Sequence, residues 1–124
     1  MALNVTPKEN LSYRTVKLAS TASAAQVNVT GGPVTIYSII IVNAANSAIH
    51  TCFLDGSFDT TSAVGTTAPT MIFAVPNGQT KSMVIPEGLT FSTAMNIWTK
   101  QEAGTAGTTA PAGGTVTVYI TTGV

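Results

Sequence analysis

The sequence predicts a single all-β domain, a Greek-key β-sandwich of the jelly-roll type, carried behind an extended N-terminal arm. Three observations lead there. No window holds apolar side chains at a sustained i, i+3, i+4 spacing, and Thr, Val, Ile and Gly abound where strong helix formers are sparse. Several short segments instead alternate apolar and polar residues with the period of two that a half-buried strand shows. Gly, Pro and Asn punctuate these segments at a spacing that suits about eight or nine short strands in a sandwich or barrel. At 124 residues the chain fits one domain, here 13–124, with 1–12 as the arm.

Taken in order, residues 1–12 carry few apolar side chains and include Pro7, which reads as extended chain. Val27 and Val29 alternate with Gln26, Asn28 and Thr30 before the Gly31-Gly32-Pro33 turn, suggesting a first strand. Val34–Val42 is apolar at both parities, with Val34, Ile36, Ile40 and Val42 on one face and Tyr37, Ile39 and Ile41 on the other. A strand buried on both sides fits a covered central position or a subunit interface. Ala48–Leu54 is expected to pair with it through the Asn43–Ser47 turn. Pro76-Asn77-Gly78 between Met71–Val75 and Thr80–Ile85 is the strongest hairpin signal, since Asn-Gly suits a type I′ turn. Pro86-Glu87-Gly88 reads as a turn into Leu89–Thr93, and Met95–Thr99 follows. In the last strand Val116, Val118 and Ile120 alternate with Thr115, Thr117, Tyr119 and Thr121, so a threonine-lined face should look outward. The pentapeptide GTTAP occurs twice, at Gly65–Pro69 and Gly107–Pro111, each time in a loop before a strand.

Composition narrows function. Charged residues are 8% of the chain and the formal net charge is +0, against about 25% charged in an average soluble domain. Such a surface resists association poorly, so much of it is expected to lie under other subunits, in a homo-oligomer. Lys8, Arg14, Lys17, Lys81 and Lys100 are scattered rather than clustered, which argues against nucleic acid as a partner. No apolar run approaches the ~20 residues of a membrane-spanning helix. The first ten residues show no basic start followed by an apolar stretch, so no secretory signal is expected.

Chemistry is hard to assemble from these residues. His50 and Cys52 share one strand face but lack the further ligands that a metal site wants. Asp55 and Asp59 flank Gly56-Ser57-Phe58 without the alternating oxygen ligands of a calcium loop. No Gly-x-Ser-x-Gly elbow and no phosphate-cradling glycine loop is present. The expectation is therefore no catalytic residue, no metal and no cofactor. Trp98 has the opposite parity to Leu89, Phe91, Met95 and Ile97, which makes it a candidate for an interface, for packing under a long loop, or for stacking on a sugar.

From Ile36 onward the punctuation resembles a recurrent kind of tailed-bacteriophage virion protein, the small β-sandwich of capsid decoration (cement) and head or tail accessory proteins. The resemblance rests on YSIIIVNAAN at Tyr37–Asn46, Phe53-Leu54-Asp55, VGTTAP at Val64–Pro69 and the apolar strand Met71–Val75 with its Asn77-Gly78 turn. PEGLTFST at Pro86–Thr93 and the final loop and strand Gly104–Thr122 complete it. It implies a structural protein on the capsid surface, made in the bacterial cytoplasm, whose partner is the major capsid protein and which assembles as a homotrimer. On that footing Tyr37, Ile39, Ile41 and Trp98 are the expected subunit contacts, and Leu3, Val5, Pro7 and Leu11 the expected capsid-docking residues of the arm. A tail or fibre-base structural protein, or a carbohydrate-binding receptor-recognition module using Trp98, are the competing expectations.

Overall fold

The computed structural model describes residues 13–57 and 64–123. Residues 1–12, and with them Leu3, Val5, Pro7 and Leu11, lie outside the described part, as does Asp59. Among the described residues the secondary structure is all β, in seven strands: β1 (Tyr13–Leu18), β2 (Val34–Asn43), β3 (Ile49–Asp55), β4 (Met71–Val75), β5 (Thr80–Phe91), β6 (Met95–Lys100) and β7 (Val116–Gly123). They form two antiparallel sheets, one ordered β1-β7-β2-β5 and the other β4-β3-β6. Among the described residues no helix is long and apolar enough to cross a membrane.

The inner faces of both sheets share one hydrophobic core. Ile36, Ile39, Ile41, Val118 and Ile120 from the first sheet meet Ile49, Phe53, Val75, Met95 and Ile97 from the second. Phe53 and Phe73 meet edge to face within it, at 5.6 Å between ring centres. In β7 the alternation read from the sequence holds: Val116, Val118 and Ile120 point inward, and Thr117, Tyr119 and Thr121 are half-exposed.

Strand β2 departs from its expected two-sided burial, for a local reason. Its register against β5 and β7 shifts between Ile36 and Ser38. One extra residue inserted there reverses the parity of everything after it. Val34 and Ile36 face the core before the bulge, and Ile39, Ile41 and Asn43 face it afterwards. Both halves of the strand are ordinary one-sided strands, and a bulge joins them. Ile39 and Ile41 consequently have no exposed surface in this chain to offer a subunit, which corrects their assignment to an interface. Tyr37, at the bulge itself, stays on the outer face.

The opposing stretch of β5 is where the expected Pro86-Glu87-Gly88 turn falls. Ser38 pairs with Val84 and Ile36 with Leu89, so Ile85–Gly88 bow outward within one continuous strand. Gly88 (φ +80°) is required there, because a Cβ would come within 2.4 Å of the Thr35 side chain and 3.0 Å of the Tyr37 ring.

Two expected pairings are replaced. Ala48–Leu54 does not pair back on β2, because the chain changes sheet at Asn43–Ser47 and β3 lies between β4 and β6. Asn77-Gly78 likewise joins strands of different sheets. Gly78 alone has positive φ (+71°) and Gln79 N–H donates to the Pro76 carbonyl (3.3 Å), a type II pattern rather than the I′ of a hairpin. The expected first strand around Val27 and Val29 is reduced to a Gln26–Ile97 bridge. With Thr99 N–H to Ala22 O and Val29 N–H to Met95 O, that segment covers the outer edge of β6.

Candidate functional site

Two surfaces can be compared residue by residue: the outer face of the β4-β3-β6 sheet, which holds the reactive side chains, and the outer face of the β1-β7-β2-β5 sheet, which holds the exposed aromatics.

On the first, register sets His50 opposite Lys100 and Cys52 opposite Trp98. Each of these groups has a structural partner or is withdrawn from solvent. Lys100 is fully buried, and its ammonium donates to the carbonyls of Gly104 (2.6 Å), Thr105 (3.0 Å) and Ala106 (2.6 Å). A buried ammonium needs all three of its donors satisfied, and this loop satisfies them. The same loop is tied by Gln101 N–H to Thr109 O (2.9 Å), by the Gln101 amide to Ala110 O (2.8 Å), and by Thr109 N–H to the Glu102 carboxylate (3.1 Å). Glu102 is held below the usual carboxylate range, first by a hydrogen bond from the Thr109 side chain, with the Thr109 N–H a smaller contributor. The two GTTAP copies meet here. Gly65 and Gly107 both adopt positive φ, and a Cβ on Gly65 would sit 3.0 Å from the Thr108 methyl.

His50 places its Nδ1 3.0 Å from the Gln101 carbonyl. The Cys52 thiol is buried, points at the His50 carbonyl (3.9 Å), and is pushed by burial up to about 11. At neutral pH it is a protonated thiol, a poor nucleophile and a poor ligand. We expect native protein to leave Cys52 unmodified by a soluble disulfide reagent while denatured protein gives one thiol per chain; fast labelling without denaturant would contradict this burial. Trp98 is 1% exposed, and it lies off the main core on the strand face that alternates with Met95 and Ile97. It therefore offers no surface to a subunit or a sugar in this chain, which corrects both expectations for it. Among the described residues no group of three His, Cys, Asp or Glu is placed to hold a metal ion.

Asp55, at the end of β3, is also committed to the fold. Its Oδ2 accepts from Ser92 N–H (2.9 Å) and the Ser92 hydroxyl (3.1 Å), and its Oδ1 from Thr93 N–H (2.9 Å). These bonds, the Thr93 and Ser92 backbone donors first, lower its pKa from 3.8. A carboxyl with a depressed folded-state pKa contributes stability that is present above the unfolded value and lost as pH falls through the folded one. Asp55→Asn is expected to cost about 1 kcal/mol at neutral pH, kept small by partial solvent exposure. The gap from wild type should close as pH drops below 3.8 in urea titrations. A gap independent of pH would contradict the role of the charge.

The second surface is different in kind. Tyr13 and Tyr37 meet edge to face, 5.5 Å between centroids at 87°. Tyr37 separates two shallow grooves. One, of about 330 Å³, is lined by Pro33, Thr35, Thr90 and Gly123. The other, of about 290 Å³, is lined by Tyr13, Ser38, Val84, Pro86 and Thr121. Val84 is 75% exposed and Tyr13 55%, both large apolar groups left open to solvent. Lys17 lies over the Tyr119 ring at 5.8 Å. Hydroxyls of Thr35, Thr90, Ser38 and Thr121 supply the remaining polarity. This face can bury apolar and hydroxyl surface against a partner. Of the residues expected at an interface, Tyr37 alone is on it. Sequence reading missed Tyr13, Val84 and Pro86; the signal was the apolar Val84 set among Ser82, Pro86 and Glu87.

No protein-family model matches the chain, and no curated protein matches it in sequence.

Proposed function

We propose that this chain is a structural protein of a tailed-bacteriophage virion, a capsid decoration protein that binds and stabilises the assembled head shell without catalysis. The observation that carries the reading is the outer face of the β1-β7-β2-β5 sheet: Tyr13, Tyr37, Val84 and Pro86, exposed or half-exposed, on a chain with only 8% charged residues. A face of this composition is suited to burial against protein. The fold is read as a jelly-roll-like Greek key. Support comes from the connections β2 to β3 and β5 to β6, which both change sheet and leave β2 beside β5 and β3 beside β6. In this reading the partner is the major capsid protein, the assembled unit is a homotrimer, and residues 1–12 with Leu3, Val5, Pro7 and Leu11 dock on the shell. Binding to the expanded shell alone stabilises that state by mass action.

The outer face takes over the contacts first assigned to Ile39, Ile41 and Trp98. Val84→Asp, at a largely exposed position, is expected to leave the fold unchanged and to weaken association. Light scattering should give a multimeric mass for wild type and a smaller one for the variant at equal concentration. A wild-type monomer would overturn the homotrimer, and an unchanged variant would remove this face from subunit contact.

A further inference from the structure

We infer that Asn77 is a spontaneous deamidation site, selected from the other described asparagines by the inter-sheet turn that holds it. Pro76, Asn77, Gly78 and Gln79 are all exposed. The turn is closed by Gln79 N–H to Pro76 O, which leaves the Gly78 N–H without a partner among the described residues. Gly78 carries no side chain, and the space where a Cβ would stand is empty to 4 Å. The nucleophile is thus free, unhindered and adjacent to the amide it attacks.

The chemistry needs only water. The Gly78 backbone nitrogen attacks Asn77 Cγ; the N–Cγ bond forms, the Cγ–Nδ2 bond breaks, and ammonia leaves with the proton given up by the Gly78 nitrogen. Water then opens the five-membered imide at one of its two carbonyls. Opening at Cγ gives aspartate, and opening at the backbone carbonyl gives isoaspartate, with the main chain rerouted through Cβ. Either product replaces a neutral amide by a carboxylate on a chain whose formal net charge is +0.

The remaining described asparagines are held back for separate reasons. Asn43 and Asn96 are buried, and their amides donate to backbone carbonyls. Asn28 is followed by β-branched Val29 and Asn46 by Ser47, whose side chains hinder the attacking nitrogen. The isoaspartyl product is also placed to matter. The turn supplies Gln79 O to Asn43 N–H (2.9 Å) and Pro76 O to the Asn43 amide (3.1 Å), so an added backbone methylene loosens the junction between the sheets.

The test is to age purified wild type and Asn77→Gln at physiological temperature in mildly alkaline buffer, following charge by ion exchange. Sites are then mapped by peptide mass spectrometry with fragmentation that distinguishes isoaspartate. A free peptide spanning Val75–Thr80 serves as a control for the intrinsic chemistry. A more acidic species is expected to accumulate in wild type, to map to Asn77, and to be missing from the variant; the isoaspartyl fraction should melt earlier than fresh protein. Conversion at Asn28 or Asn46 in place of Asn77 would overturn the inference. So would wild type that stays unchanged after the free peptide has converted.

Discussion

Replacing Lys100 by alanine is expected to lower the unfolding free energy by about 3–4 kcal/mol, among the largest losses available from one polar side chain in this protein. Lys100 is fully buried at the end of β6, and its ammonium is the common donor to three consecutive loop carbonyls. Removing it deletes three charge-assisted bonds and leaves the carbonyls to find water or stay unpaired. Lys100→Met separates the two contributions, since it keeps an apolar stem in place and loses only the head. It should recover about 1 kcal/mol of the alanine loss through buried methylene surface. Urea unfolding at neutral pH measures both, and limited proteolysis of residues 101–114 reports whether the loop has opened. A methionine variant as stable as wild type, with the loop still protected, would show that the loop holds itself without the ammonium.

Asn43→Ala is expected to cost about 2–3 kcal/mol. Asn43 ends β2 where the chain changes sheet, and its side chain is 1% exposed. The amide donates to Ser47 O (2.9 Å), Val75 O (3.1 Å) and Pro76 O (3.1 Å), while Oδ1 accepts from Ala45 N–H (3.0 Å). One residue therefore joins the β2–β3 crossing to the β4–β5 crossing. Alanine leaves an amide and several carbonyls at the junction without that partner. Asn43→Asp should be worse still at neutral pH, because a carboxylate would face carbonyl oxygens where a donor is needed. Thermal unfolding of both variants checks this, and an aspartate variant more stable than the alanine one would contradict the donor role.

These two residues also mark where the sequence stops being readable. Alternation in β7 was legible because Val116, Val118 and Ile120 face one core and Thr117, Tyr119 and Thr121 do not. In β2 the same rule failed at the Tyr37 bulge. A single inserted residue turns two one-sided strands into a sequence that looks buried on both sides. Asn77-Gly78 was a correct turn signal with the wrong consequence. A tight turn is a local property, whereas which sheet receives the next strand depends on distant pairing. Lys100 gave no sign of burial, since its three acceptors are backbone carbonyls of a loop whose side chains are small. Gly104 and Gly107, both at positive φ, were the only trace of a loop wrapped around something.

The candidate surface was half legible for the same reason. Tyr37 was singled out from the apolar run around it, but Tyr13, Val84 and Pro86 come from β1 and β5. They reach Tyr37 only through the sheet order β1-β7-β2-β5. The reactive residues fared better in one respect. His50 and Cys52 do share a strand face, and the structure adds what commits them to the fold, the Gln101 and His50 carbonyls.

We propose that this protein assembles through its outer sheet face and, as that assembly, docks on an expanded phage shell through residues 1–12. A variant that no longer assembles therefore loses the avidity of the joined arms. The most direct measurement is co-sedimentation of wild type and Val84→Asp with expanded phage capsids, after circular dichroism has shown that the variant is folded. The account predicts saturable binding of wild type and a clear loss of binding for the variant. Wild type that stays in the supernatant at every capsid concentration would contradict it.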